Sequence, residues 1–382
     1  MNFINKIKKL RHKLYISKFR HSPICENKII LWADSFKHFG CSPKYIALYL
    51  LKNYPNKFDI VWVFEDGVSI PSDMPKEIRV VKYFSIEYLM ELHTAKFIIC
   101  NMRTGSAYYW KKRPEQIYIQ TWHSSLRLKK IEGDAISALG EGYIKSAQND
   151  SKLIDVLLSG CRFSTEIFRK SFWYDGKILE IGTPRCDILF NNSDDTRRRV
   201  FDFYNIPYDS KLILYAPTFR NGFKADTMGI DFLSIKSVLD NATNDNWVAG
   251  CRLHPNILED TVAEDSIIMT KYSDMQELIC AADILITDYS SCMFDMAVAG
   301  KPCILYTPDL DKYTSDERGL YFDIMSLPFP VARNNAELCE ILATFDIDVY
   351  NDELSDFMRD IGSYEDGNAT RKVADYILDI IK

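Results

Sequence analysis

Nowhere in the 382 residues is there an uninterrupted apolar run of about 18, so a helix that crosses a membrane is not expected. The N-terminus lacks the apolar centre and small-residue cleavage site of a secretory signal. The ten cysteines include no C-x-x-C pair and no zinc-like Cys/His spacing, so the usual cysteine-based metal and redox motifs are missing. A basic excess is missing as well, and the net charge of −6 argues against a nucleic-acid partner. No internal repeat and no low-complexity tract stands out.

What is present is an ordinary globular composition, 47% apolar and 26% charged, in a chain long enough for two or three domains and a large core. Cys100, Cys280 and Cys303 sit inside apolar runs, where free thiols pack as small hydrophobes, and a reducing cytoplasm is the expected compartment. The first 23 residues carry Lys6, Lys8, Lys9, Arg11, Lys13, Lys18 and Arg20 with no acidic residue. Phe3, Ile4, Ile7, Leu10 and Leu14 recur among them at helical spacing. A basic amphipathic helix on an anionic membrane surface is one reading. A frayed terminus, or a helix packed on the body, is the other.

From Lys28 onward strands and helices alternate. KIILWADSF opens as a buried strand, and Cys41 to Asn53 reads as a helix. FDIVWVFED and IRVVKY are strands, Ser85 to Ala95 is a helix capped by Ser85, and KFIICNM and QIYIQTWH are strands again. Leu126 to Phe172 reads as more helical, and KILEIGTPRCD gives one more strand and a turn. The charged, turn-rich stretch from Asp194 to Tyr208 is the expected domain junction. A second series follows: KLILYAP, a helix around Phe232 to Leu239, WVAGCRLHP, IIMTKY, and a helix from Asp274 to Ala282. The tail from Glu353 to Lys382 looks helical, with Val373, Ile377, Ile380 and Ile381 as an apolar edge. Such alternation implies parallel sheets covered on both faces.

The stretch that organises the second half is ILITDYSSCMFDMAVAGKPCILY, Ile284 to Tyr306. It reads as strand, turn, helix, strand, with Ser290 or Ser291 as N-cap, a helical face of Met293, Phe294, Ala297 and Val298, and a stop at Gly300 and Pro302. A βαβ unit aims free N–H groups and the two hydroxyls beyond the strand's carboxyl end, which makes a candidate phosphate site; an ordinary capped crossover has the same pattern. His123 ends the strand QIYIQTWH, where open α/β sheets bind ligands. A neutral imidazole with a pKa of about 6.5 can accept a proton from an attacking alcohol, though a structural histidine is the plain alternative. Arg252 and His254 share one side of the strand end RLHP and could hold a diphosphate or neutralise a departing phosphate; a salt-bridged Arg beside a capping His is the alternative.

Four segments, in order, resemble the CDP-glycerol glycerophosphotransferase family, the teichoic-acid primases and polymerases. They are QTWHSSLRLKK, ILYAPTFR, RLHP and ITDYSSCMFDMAVAGKPCILYTPDLDKYTSDERGLYFD, covering roughly Lys28 to Asp323. The resemblance implies the GT-B fold, in which the C-terminal helix often crosses back to the first domain. It places the proposed catalytic base at His123 and a second functional histidine at His254. One departure is that Ser124-Ser125 stand where the family usually has Gly-Thr, which leaves the shape of the acceptor loop open. Thr218 and Arg220 resemble the loop lining the donor cleft, and Arg220 suits bidentate phosphate contact. Asp295 would accept hydrogen bonds from a ribose, or is a first-turn acid favoured by the helix dipole. Arg318 faces the nucleotide or pairs with Asp316 or Glu317, and Asp288 supports the turn. Asp309-Leu310-Asp311 and Asp346-Ile347-Asp348 have a D-x-D spacing, but helix dipoles and cations suffice for charge neutralisation, so no essential metal and no cofactor are expected.

The expected architecture is therefore α/β, with two doubly wound Rossmann-like domains facing across a cleft. Its parts are a membrane-associating segment 1–23, an acceptor-side domain 24–195, a CDP-donor domain 196–350 and a C-terminal helix 351–382. The expected function is transfer of glycerol phosphate from CDP-glycerol to a hydroxyl of a polyprenyl-diphosphate-linked or polysaccharide acceptor at the cytoplasmic face of the membrane, with release of CMP. The product would be a teichoic acid or a capsular polysaccharide, and the length leans toward a single-addition or decorating enzyme. The alternatives are a CDP-ribitol or other CDP-polyol donor, a nucleotide-sugar glycosyltransferase of the same fold, and a non-catalytic membrane-associated binding module.

Overall fold

The computed structural model describes residues 12–105, 110–191, 194–218, 229–253, 265–311, 313 and 319–381. Two compact units divide the chain. Unit 1 holds the described residues up to His123, Ile131–Asp187 and everything from Tyr364 on; unit 2 holds Ser124–Lys130 and Ile188–Ser363.

Unit 1 is built on strands β1 (Cys25–Trp32), β2 (Asp59–Phe64), β3 (Arg79–Lys82), β4 (Ala95–Cys100), β5 (Ile117–Gln120), β6 (Val156–Ser159) and β7 (Lys177–Glu180). They form a 7-stranded sheet in the order β3-β2-β1-β4-β5-β6-β7, with every neighbouring pair parallel. Both faces are buried, as period-2 alternation of a doubly covered strand requires. Ile30, Trp32, Val61, Val63, Ile98 and Tyr118 enter one core with Leu89 and Leu92 of α2 (Ile86–Thr94). The intervening Ile29, Leu31, Ile60, Trp62, Phe97 and Ile99 enter the other, with Ile46, Ala47 and Leu50 of α1 (Cys41–Asn53) and Val373, Ala374 and Ile377 of the C-terminal helix Ala369–Ile380. Each fully buried side chain of this size contributes roughly 1.5–3 kcal/mol. Two further helices are α3 (Glu141–Ser151) and α4 (Arg162–Ser171).

Unit 2 repeats the plan. Strands β8 (Ser210–Ala216), β9 (Asn246–Cys251), β10 (Ile267–Ile268), β11 (Ile284–Thr287), β12 (Cys303–Tyr306) and β13 (Val331–Ala332) form a 6-stranded parallel sheet in the order β10-β9-β8-β11-β12-β13. Its helices are α5 (Asp194–Tyr204), α6 (Phe232–Thr243), α7 (Met275–Ala281), α8 (Cys292–Val298), α9 (Asn335–Ala343) and α10 (Ile347–Asp360). Ile213, Tyr215, Ile286 and Ile304 pack with Phe232, Ile235 and Leu239 of α6 and Leu338 and Leu342 of α9. Leu212, Leu214, Leu285 and Leu305, on the other face, are fully buried too. Gly300 adopts a positive φ after α8, and the Lys301 ammonium donates to the carbonyls of Cys280 (2.7 Å) and Ala282 (2.8 Å), closing the end of α7.

Several expectations need correction. The more helical stretch between Leu126 and Phe172 contains β6, a buried run too short for periodicity to distinguish from helix. The turn-rich stretch after Asp194 is the helix α5; Thr196, Val200 and Phe201 are buried on one side, Arg197 pairs with Asp283 (2.9 Å), and most of the other charges are exposed. β13 and α9 were not anticipated. The helical tail is broken into α10 and Ala369–Ile380, with Gly362 and Gly367 at positive φ between them. The first strand stops at Trp32 rather than continuing to Phe36. Of the basic N-terminal stretch, 1–11 lie outside the described residues. Residues 12–19 are helical, Leu14 is exposed, and Tyr15, Ile16 and Phe19 pack on the unit 1 core.

Candidate functional site

Both strand orders reverse once, between β1 and β4 in unit 1 and between β8 and β11 in unit 2. At such a switch point the flanking connections leave on opposite faces, and the carboxyl ends of the strands open a crevice for ligands.

In unit 1 the chain carries Asp34, Asn101 and His123 in the segments that follow β1, β4 and β5 at this point. The chain leaves β1 through Asp34, Ser35 and Phe36 at φ 47°, 57° and 71°, and Cys41 (56°) and Trp122 (52°) are also left-handed. Non-glycine residues in this region cost free energy, and such strain gathers at functional sites. Specific bonds hold it. The Asn101 amide donates to Asp34 Oδ1 (2.8 Å), and its carbonyl oxygen accepts from the Asp34 backbone N–H (2.9 Å). Gln120 does the same for the second turn, donating to the Met102 carbonyl (3.0 Å) and accepting from the Trp122 N–H (2.9 Å).

His123 emerges half-buried from this frame. Its ring lies 4.4 Å from the Trp122 ring, and Nδ1 is 3.2 Å from the Asn101 carbonyl. A carbonyl only accepts, so Nδ1 carries the hydrogen and Nε2 the basic lone pair. The Arg185 guanidinium donates to the His123 carbonyl. Burial pushes the Asp34 carboxyl up, but hydrogen bonds from His38 and Asn101, with the charges of His38 and His123, outweigh it and hold the group below the usual carboxylate range.

The other described candidates belong to unit 2. Asp288, fully buried, accepts from the Thr218 N–H with both oxygens (2.9 and 3.1 Å) and from the Tyr289 N–H (2.6 Å). One carboxylate thus ties the loop after β8 to the loop after β11. Arg252 follows β9, and its N–H donates to the Tyr215 carbonyl of β8 (2.8 Å), which places it beside the same switch point. Ser290 and Ser291 are half-buried. The expectation that one of them is the N-cap of α8 holds by position, though not through a side-chain bond from Ser291. Ser291 occupies the N-cap position in helical φ/ψ with no side-chain cap bond, while Ser290 Oγ accepts a long 3.4 Å bond from Cys292 N. Asp295 is buried in the first turn of α8. Arg220, His254 and Arg318 lie outside the described residues.

The acidic pairs have structural uses. Asp309 accepts from the Tyr289 hydroxyl (3.1 Å), Asp311 faces Arg333 (3.7 Å), and Asp346 caps α10. Among the described residues no group of three or more His, Cys, Asp or Glu is placed to hold a metal. None of their helices is long and apolar enough to cross a membrane. The cysteines are all free thiols.

Asp34, Asn101, Gln120 and Arg185 were absent from the sequence-based candidates. A polar residue directly after a buried strand, as in WAD and IICN, was the available signal.

Comparison with known proteins places these features in context. A model of the family described as CDP-Glycerol:Poly(glycerophosphate) glycerophosphotransferase matches residues 14–379. A teichoic acid glycerol-phosphate transferase of Staphylococcus aureus is 32% identical over 98% of this chain and 99% of its own length. A teichoic acid poly(glycerol phosphate) polymerase of Staphylococcus epidermidis is also 32% identical, over 100% of this chain but only 54% of its own length. Among solved structures, a variant of the wall teichoic acid polymerase TagF soaked with CDPG superposes with a TM-score of 0.83 at 30% identity, covering 100% of this chain and 99% of that one.

Proposed function

The chain belongs to the CDP-glycerol:poly(glycerophosphate) glycerophosphotransferase family, and from that premise we propose that it transfers glycerol phosphate from CDP-glycerol to an acceptor hydroxyl in teichoic acid biosynthesis, releasing CMP. In this reading the doubly wound units are the two halves of a GT-B enzyme. Unit 1 serves the acceptor and unit 2 the CDP donor. Nε2 of His123 takes the proton from the acceptor hydroxyl, whose oxygen attacks the β-phosphorus in line as the bond to the CMP oxygen breaks.

Arg252, with His254, Arg220 and Arg318, supplies positive charge to the phosphates. The Ser290 and Ser291 hydroxyls and the N–H groups that follow them contact the diphosphate, and Asp295 takes the ribose. Thr218 and Asp288 fix the loops that carry them. The acceptor is polymer- or lipid-linked, and the basic segment 1–23 holds the enzyme to an anionic membrane surface at its cytoplasmic face.

The observation that carries the proposal is His123 at a strained strand end, with Nδ1 committed to the Asn101 carbonyl. The test offers purified protein and a detergent-solubilised lipid-linked acceptor CDP-glycerol, CDP-ribitol or a UDP-sugar in separate reactions. CMP release with CDP-glycerol that disappears in His123→Ala is the expected result. CMP release with CDP-ribitol alone would change the donor, and UDP release would replace the mechanism with glycosyl transfer.

A further inference from the structure

The proposed base of unit 1 does not stand alone, because a carboxylate two hydrogen bonds away is built into the same strained turn. The Asn101 carbonyl accepts from Nδ1 of His123 at 3.2 Å, and the Asn101 side chain is tied to Asp34 by bonds of 2.8 and 2.9 Å. Three successive residues at positive φ are needed to bring Asp34 to that place. A fold that required only a turn after β1 could make it without this cost.

We propose that Asp34 and Asn101 are positioning residues for His123: Asn101 fixes the ring with Nδ1 protonated, and the Asp34 carboxylate stabilises the imidazolium that forms when Nε2 accepts the acceptor's proton. The inference rests on the reading of His123 as the base. No proton passes to Asp34. Its charge acts through space and through the Asn101 amide, which it orients. Imidazolium is stabilised relative to imidazole, so the base is stronger in the transition state while its tautomer stays fixed.

The charged and titratable groups around this pair are few. His38 Nδ1 stands 3.6 Å from the second Asp34 oxygen and competes for its charge. The Cys41 thiol lies within range of Asp34, but burial holds it above its usual value, so it stays neutral, and Arg185 is the cation beside it. Arg185 binds the His123 carbonyl and so faces the backbone of the base.

The experiment is the pH dependence of kcat/KM for CMP release from CDP-glycerol by the full chain. Asp34→Asn keeps the size of the side chain and an oxygen for the Asn101 amide, and Asn tolerates the left-handed backbone. Its kcat is expected to fall roughly tenfold, and its acid limb to move to lower pH by about half a unit or more, since the imidazolium loses its carboxylate. His38→Gln, at an exposed side chain, removes the imidazole that competes for the second Asp34 oxygen and is expected to move the limb the other way; it carries the test should Asp34→Asn fail to fold. Limbs that stay where the wild type has them, with His123→Ala inactive, would leave the base in place and reduce the pair to a structural tie. Wild-type turnover in His123→Ala would remove the base, and the role of the pair with it.

Discussion

The two switch points solve one geometric problem in two ways. In each, an aspartate ties the loop after the first strand of the sheet to the loop after the fourth: Asp34 to Asn101 in unit 1, Asp288 to Thr218 in unit 2. In unit 1 the tie is partly exposed and the backbone is left-handed at Asp34, Ser35 and Phe36, beside an imidazole. In unit 2 the aspartate is fully buried, and among the described residues of these loops only a glycine, Gly229, has positive φ. Strain goes with the site proposed to aim one reactive nitrogen. The unit 2 site presents backbone N–H groups and hydroxyls, which suit holding an anion rather than moving a proton.

Substitutions that separate these roles differ widely in expected effect. His123→Ala should lower CMP formation by about a thousandfold or more, the scale for losing a general base in a concerted site, with its melting temperature close to wild type. Asp288→Ala should strand buried N–H groups of Thr218 and Tyr289 and lower stability by about 2–4 kcal/mol. Asn101→Ala, at the tie whose carboxylate is partly exposed, should cost about 1–2 kcal/mol in the same denaturation assay. An equal cost at both positions would erase the contrast between them. The double substitution Ser290→Ala with Ser291→Ala should weaken donor binding roughly tenfold, the combined contribution of two hydroxyl contacts to phosphate, and leave the acid limb of the pH profile in place.

The smallest effect concerns acid stability. The folded-state pKa of Asp34 is depressed, so its contribution is present above the ordinary carboxylate range and is lost as pH falls through the folded value. The side chain is more than a third exposed, and solvent screening limits that contribution to under about 1 kcal/mol. The stability difference between wild type and Asp34→Asn should therefore be full at pH 6 and shrink as pH falls below the ordinary carboxylate range towards the depressed folded value. A constant difference across that range would mean that the charge plays no part.

Much of this organisation could be read from residue order. The helix Cys41–Asn53 has the bounds its apolar spacing implied, and Ser85 caps α2 by accepting from Tyr88 N at 3.0 Å. The run from Ile284 to Tyr306 folds as strand, helix, strand, its apolar blocks separated by the polar turn from Asp288 to Ser291 and by Gly300 and Pro302. β6 escaped notice because four buried residues give no period, and α5 because its arginines hide a narrow apolar side. The candidate site was legible only where a residue type carries its own chemistry, as at His123. Asp34 looked like the continuation of a strand, since its left-handed turn is imposed by Asn101, 67 residues away in sequence, and not by local propensity. Ser291 illustrates the converse: its type and position both suit an N-cap, yet its side chain makes no cap bond.

The most direct measurement is calorimetric titration of CDP-glycerol into wild type, His123→Ala and the Ser290→Ala, Ser291→Ala double variant. If proton acceptance belongs to unit 1 and donor holding to unit 2, His123→Ala will bind donor within about threefold of wild type while inactive, and the double variant will bind about tenfold more weakly. Loss of donor affinity in His123→Ala, with wild-type affinity in the serine variant, would contradict that division.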